Sequence, residues 1–205
     1  MIAAVILAAG KSERMGSAKA LLPYGGHTFL DRILASIDEC GISHRVIVAG
    51  AHFREIAAHA PSLRVVFNPD YDMGMTTSFQ AGIRALPEGV DGAIVFLVDH
   101  PLISPGTIRA LLAAGGAAEV ILPVYKGRRG HPVLFSRRFL DEILELPASV
   151  GVNHLVRSRP ERVAEVVVND PGVLVDIDTP DDLERLGSGE ASTGKNAPGE
   201  SRSEG

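Results

Sequence analysis

Cysteine is nearly absent from this sequence, with Cys40 standing alone. A single thiol excludes an internal disulfide and any multi-cysteine zinc site, and it suits a reducing cytoplasm. The remaining histidines, His27, His52 and His154 among them, show no ligand spacing with Cys40 or with each other, which also argues against zinc. Long apolar runs are missing too. The stretch "MIAAVILAAG" has no basic leader and passes directly into charged residues, so it reads as a buried strand and not as a signal segment. No membrane partner is expected. An excess of positive charge is also lacking, since the formal net charge is −5. That balance excludes broad electrostatic binding to nucleic acid, and any anion site has to be a local cluster of cations.

No repeat of fixed period and no Pro/Gly/Ser linker divides the first 186 residues. With 45% hydrophobic residues in a chain of 205, the reading is one domain with a substantial core. From Gly187 onward no large apolar residue occurs, and Gly, Ser, Glu and Ala dominate. Such a segment cannot bury enough surface to offset its ordering entropy. The expectation is a folded domain over 1–186 and a disordered tail over 187–205 with no catalytic role.

What is present is a rhythm. The short β-rich runs "AAVIL", "RVIVAG", "RVVF", "AIVFLVD", "EVILPV" and "HPVLF" alternate with amphipathic segments such as "TFLDRILASIDEC", "TTSFQAGIRAL" and "PGTIRALLAA". Several strands are apolar at nearly every position, as happens where helices cover both faces of a sheet. An α/β fold follows, a three-layer α/β/α sandwich on a mostly parallel, Rossmann-like sheet. Ligands of such sheets sit beyond the carboxyl ends of the strands. The loops leaving "VILAAG" and "FLVDHP" are therefore the first candidates.

Two familiar phosphate motifs fail in the first loop. Aligning GxxxxGK[ST] on Gly10, Lys11 and Ser12 places Val5, inside the strand, where the first glycine belongs. The dinucleotide pattern GxGxxG has no glycine two residues after Gly10. What remains is a strand ending in the small residues Ala8, Ala9 and Gly10, then a polar loop carrying Lys11, Ser12, Arg14 and Lys19. Small residues let a planar base approach the backbone, and the cations can neutralise phosphate oxygens. Each cation taken singly also fits an ordinary solvated loop.

Three other groups carry candidate chemistry. Asp99 closes an apolar strand ahead of His100 and Pro101, where its carboxylate could reach the ligand crevice or simply form a turn. Asp176 and Asp178 share one face of an extended segment, and Asp178 or Thr179 could cap the helix opened by Pro180. "YKGRRGHPVLFS" gathers Lys126, Arg128, Arg129 and His131, either a solvated hairpin or an acceptor-phosphate site. Asn68 could bond a base or ribose, and Ser78 lies near a helix start that favours anions. Met75 and Phe79 read as one apolar packing stripe.

Taken together, Leu7, Ala8, Ala9, Gly10, Ser12, Arg14, Met15, Gly16, Lys19, Leu21, Leu22 and Pro23 resemble the signature of the MobA-like nucleotidyltransferases, approximately LA(A/G)GxSxRMGxxKxLLP. The resemblance extends to about Leu183 and implies the nucleotide-diphospho-sugar transferase fold. It implies that Leu7, Ala8, Ala9, Gly10, Ser12, Asn68 and Ser78 bind nucleotide, and that Arg14 and Lys19 act on its phosphates. By the same resemblance Asp99 and Asp178 hold Mg²⁺ (or Mn²⁺), with Asp176 the alternate to Asp178, and Arg129 and His131 meet the acceptor. Lys11 occupies a variable position.

The Ala8-Ala9-Gly10 variant resembles the branch that uses CTP, so CTP is favoured over GTP. The nearest pattern is that of the MocA-type molybdenum cofactor cytidylyltransferases, which implies a phosphorylated small-molecule acceptor and a transient contact with a molybdoenzyme or its chaperone. The chain departs from that branch where "LPASVGVNHLVRSRP" replaces a GDxGxR-like segment, leaving Gly151, Asn153 and Arg157 as weak substitutes. Two further readings fit these residues: transfer to another phosphorylated acceptor such as a sugar phosphate, terpenoid precursor or small acid, and a noncatalytic module that delivers a cofactor.

Overall fold

The computed structural model describes residues 1–187, so the expected tail lies outside the described residues except for Gly187, the last residue of the final helix. In chain order the elements are β1 (Ile2–Ala8), β2 (Pro23–Tyr24), β3 (His27–Thr28), α1 (Phe29–Asp38), β4 (Arg45–Ala49), α2 (Phe53–His59), β5 (Arg64–Phe67) and α3 (Met75–Arg84). There follow β6 (Gly92–Leu97), α4 (Pro105–Ala113), β7 (Val120–Tyr125), β8 (Arg128–Arg129), β9 (Val133–Ser136), α5 (Arg137–Leu144), α6 (Val152–Arg157), β10 (Val163–Val167) and α7 (Pro180–Gly187).

All six strands read from the sequence form, within one sheet of order β10-β7-β9-β6-β1-β4-β5, with β8 paired to β7. β1 lies between β4 and β6 and is parallel to both. Chain order runs away from β1 in both directions, so a crevice opens at its carboxyl end. β8 and β9 are the exceptions to parallel pairing in this sheet: β8 runs antiparallel to β7, and β9 runs antiparallel to β6 and β7. The few residues between the end of β7 at Tyr125 and Val133 are too short for a crossover helix and can only turn back. β10 went unrecognised in the sequence because it is a short edge strand whose alternation is broken by two adjacent valines, Val166 and Val167.

The side-chain alternation of β1 divides the core into two layers. Ala4, Ile6 and Ala8 pack with Leu30, Ile33 and Ile37 of α1 and Ile108 and Leu111 of α4. Val5, Leu7 and Ala9 face the other way, toward Phe79 and Ile83 of α3 and the buried residues of α5 and α6. This is the three-layer sandwich. Three helices begin at side-chain caps: Thr28 and Asp31 form a reciprocal capping box on α1, and Ser104 and Ser136 accept from the third residues of α4 and α5. Among the described residues no helix is long and apolar enough to cross a membrane.

Candidate functional site

The loop after β1 folds back on itself. Ser12 adopts a left-handed backbone, φ 53°, and its carbonyl accepts from the N–H groups of Met15 and Gly16 at 2.9 and 3.2 Å. Its hydroxyl accepts from the Lys19 N–H at 3.1 Å. Ser12 therefore shapes the loop and returns Lys19 to the crevice.

Two more loops meet it there. The N–H of Val98 donates to the carbonyl of Leu7 at 3.2 Å, and that of Ile177 to the carbonyl of Asp99 at 3.0 Å. These bonds hold Asp99 and Asp178 at the mouth of β1. A cavity of about 460 Å³ results, lined along the strand by Leu7, Ala8, Ala9 and Gly10 and closed by Ser12, Arg14, Lys19, Ser78, Asp99 and Asp178.

Asp178 carries the densest charge contacts. Lys19 Nζ donates to its Oδ1, and Arg14 stands 3.4 Å from its Oδ2. The helix-cap alternative falls to its neighbour: Thr179 Oγ1 accepts from the Asp182 N–H at 3.3 Å, and Asp182 accepts from the N–H groups of Thr179 and Asp178. With α7 capped by that reciprocal pair, the Asp178 carboxylate is left to the cavity. Asp176 does not line the cavity. Burial, then Asp178 and Asp99, push its carboxyl above the usual range.

Asp99 is half-buried, and its Oδ1 is buried with no hydrogen-bond partner. Burial raises its pKa, Lys19 opposes that rise, and Asp178 adds to it. Beside it His100 Nε2 lies 3.8 Å from Asp99 Oδ1, and the His100 and His131 rings are 5.0 Å apart. Burial depresses both imidazoles to about 4, so both are neutral near pH 7.

Not every expected residue arrives at this cavity. Asn68 is buried, with its amide donating to Thr77 Oγ1 at 2.9 Å and Ser78 Oγ at 3.0 Å and its Oδ1 accepting from the Asp70 N–H. All its polar capacity is used inside the protein, so it braces the start of α3. The packing stripe is divided as well: Phe79 is buried in the core, whereas Met75 is mostly exposed and lines the cavity. Met75 sits in the first turn of α3, outside the region where the sheet covers that helix. Arg129 and His131 line a second cavity, and Arg129 is held by Glu165 at 2.7 Å.

Sequence reasoning missed Tyr71 and Gly50. Tyr71 lines the cavity, and a Cβ added to Gly50 would lie 2.6 Å from its Cγ and 2.4 Å from the Ala9 carbonyl oxygen. A glycine at a strand end was the only signal for this contact. Lys11 also reaches the rim, where it pairs with Asp72 at 2.8 Å.

A divalent ion can be tested against these groups. No cluster of three or more His, Cys, Asp or Glu able to hold a metal exists among the described residues. Two carboxylates, one with an unpartnered buried oxygen, fit a hard cation whose remaining ligands are water and phosphate oxygens.

A model of the MobA-like NTP transferase domain matches residues 4–163. The chain belongs to the MobA-like NTP transferase family. It is a nucleotidyltransferase of that family, as the signature loop implies. Among the MobA-like relatives, nicotine blue oxidoreductase of Paenarthrobacter nicotinovorans is 30% identical, over 90% of this chain and 96% of that protein. Molybdenum cofactor cytidylyltransferase of Escherichia coli K12 is also 30% identical, over 87% of this chain and 92% of its own length. The crystal structure of Rv0371c from Mycobacterium tuberculosis matches with a TM-score of 0.78 at 30% identity, covering 90% of this chain and 96% of that one. Rv0371c has also been solved in complex with manganese.

Proposed function

We propose that the protein transfers a nucleoside monophosphate, CMP before GMP, from a nucleoside triphosphate to a phosphorylated small-molecule acceptor in the cytoplasm. An acceptor phosphate oxygen forms a bond to the α-phosphorus, the α–β bridging P–O bond breaks, and pyrophosphate leaves. The observation that carries this reading is the convergence of Lys19 and Arg14 on Asp178 in the cavity that also holds Asp99 with its unpartnered Oδ1.

Lys19 and Arg14 neutralise charge on the reacting and leaving phosphates. Lys19 is the better placed of the two, with a side chain 15% exposed against 69% for Arg14. In the free protein Asp178 holds both cations in place, and the triphosphate takes over from it as their anionic partner. Asp99 and Asp178 would hold Mg²⁺ or Mn²⁺, which supplies Lewis-acid stabilisation of phosphate charge when bound. The small side chains of Ala8 and Ala9 leave room for the base, and Tyr71 lies in the same cavity. A phosphate monoester is already largely ionised near pH 7, so no strong general base is required.

The finer reading is a molybdenum cofactor cytidylyltransferase, supported by the Ala8-Ala9-Gly10 strand end and by similarity to the Escherichia coli enzyme of that name. A transient contact with a molybdoenzyme or its chaperone goes with that reading. Pyrophosphate release measured with CTP and GTP across molybdopterin-type and other phosphorylated acceptors tests it. Release with CTP and an acceptor, dependent on Mg²⁺ or Mn²⁺, is expected. Absence of release with every pair would overturn it.

A further inference from the structure

The arc from Gly10 to Gly16, which carries Arg14, is mostly exposed, and a Cβ added at Gly10 or Gly16 would meet nothing within 4 Å. Packing therefore does little to hold it. Beyond the bonds within the arc, hydrogen bonds and ion pairs tie it to the rest of the described protein at Ser12, Arg14 and Lys11. Ser12 meets Lys19 and Arg14 meets Asp178, both beside the cavity. Lys11 is tied outward, and twice.

The carbonyl oxygen of Lys11 lies 3.2 Å from His52 Nε2. A carbonyl can only accept, so Nε2 carries a proton and donates it. Glu55 Oε1, 3.2 Å from Nδ1, orients the ring from its other side. His52 stands on a short turn in which the Phe53 N–H donates to the Gly50 carbonyl at 3.0 Å, and Gly50 packs directly on the Ala9 carbonyl at the end of β1. The second tie is an ion pair, Lys11 Nζ to Asp72 Oδ1 at 2.8 Å. Asp72 belongs to a braced segment: Asn68 Oδ1 accepts from the Asp70 N–H at 3.0 Å, and Thr77 Oγ1 donates to the Asp70 carbonyl at 2.9 Å. Exposure ranks the two ties. The Lys11 and Asp72 side chains are 49% and 56% exposed against 22% for His52, so solvent screens the ion pair and the hydrogen bond dominates.

We infer that His52 is a positioning residue: through the Lys11 main chain it holds the arc, before nucleotide arrives, in the shape that presents Arg14 and Lys19 to the triphosphate. The consequence for turnover rests on the nucleotidyl-transfer reading, whereas the hold on the arc does not. A loop ordered in advance loses less conformational entropy on binding. Because the bond goes to a main-chain oxygen, it does not depend on the side chain at position 11, the position that the signature leaves open. His52 also lines the cavity, so loop order has to be measured without nucleotide to separate the hold from loss of a wall.

The experiment is trypsin digestion of the full chain in the absence of nucleotide, with cleavage after Arg14 followed by mass spectrometry. His52→Ala speeds that cleavage by about five-fold, the population change for one ordinary hydrogen bond. His52→Gln, whose amide can donate in place of Nε2, stays within about two-fold of the wild type, as does Asp72→Asn. In pyrophosphate-release assays His52→Ala raises the KM for CTP by about five-fold and leaves kcat within about two-fold, because bound triphosphate reorders the arc. Unchanged cleavage after Arg14 in His52→Ala, equal acceleration at sites across the whole domain, or a glutamine variant as fast as the alanine variant would overturn the inference. A fall in kcat with KM unchanged would do the same. Faster cleavage after Arg14 in a protein that releases no pyrophosphate with any acceptor would overturn the transfer reading and leave the hold of His52 on the arc supported.

Discussion

The N–H of Ile177 donates to the carbonyl oxygen of Asp99 at 3.0 Å, and this one bond between loops 78 positions apart aligns the carboxylates of Asp99 and Asp178 on a common cavity. Asp176, two residues earlier, is left outside it. Asp99→Asn and Asp178→Asn should each lower metal-dependent turnover by roughly 10²–10³, the range for removing one electrostatic group from a reacting centre. Asp176→Asn should retain most activity. Comparable losses in all three, measured as pyrophosphate release with folding checked by circular dichroism, would reject the assignment of Asp178 over Asp176.

Lys19 and Arg14 share Asp178 but differ in exposure, and solvent screens the exposed cation. Lys19→Ala should therefore reduce turnover by roughly 10²-fold or more, and Arg14→Ala by less. Steady-state kinetics at saturating nucleotide separates them, and a larger effect at Arg14 would reverse the assignment of roles.

Ala9 is almost fully buried at the strand end that lines the cavity proposed to hold the nucleotide. Ala9→Gly opens the space of one methyl group, and the preference for CTP over GTP should fall by up to about ten-fold. An unchanged ratio of kcat/KM values would show that this position does not set base choice.

Gly50 leaves no room for a side chain, because the Ala9 carbonyl would lie 2.4 Å from an added Cβ. Tyr71 can move aside, but the β1 backbone cannot. Gly50→Ala should cost about 1–3 kcal/mol of stability by overpacking and weaken CTP binding at the same time. Thermal unfolding and CTP titration together test this, and a stable variant with normal CTP affinity contradicts it.

The buried imidazoles give the metal-free protein a pH-dependent stability. His100 and His131 are depressed from 6.5 to about 4, so on acidification the unfolded chain takes up protons first. Their stabilising contribution is full above about pH 6.5 and is lost as pH falls toward 4, at roughly 1.4 kcal/mol per pH unit for each group. Asp99 and Asp176, raised above 3.8, act in the opposite sense at the acid end, since the folded chain there binds protons first. Urea unfolding in EDTA should show lower stability at pH 5 than at pH 7.5, and a flat profile would contradict the burial argument.

Much of this molecule was legible in the chain because its signals are local. Six apolar runs became six strands, and "TFLDRILASIDEC" became α1 with its Thr28–Asp31 cap. The loop after β1 was legible as a unit because its residues are consecutive and it delivers Ala8, Ala9, Gly10, Ser12, Arg14 and Lys19 to one cavity. Asn68 misled, since a polar side chain after a strand looks the same whether it faces a ligand or, as here, Thr77 and Ser78. Tyr71 and Gly50 stayed silent because their contact joins elements far apart in sequence.

By itself the sequence determined the layer architecture, which follows from periodicity within short windows, and it placed Arg14 and Lys19, the cations proposed to meet phosphate, in one loop after the first strand. Only the tertiary structure decided which carboxylate faces the cavity, that Thr179 and Asp182 relieve Asp178 of capping, and that Asn153 and Arg157 border a separate cavity. Those outcomes depend on hydrogen bonds between distant loops and on which face of an element the sheet leaves uncovered, and no local window contains either.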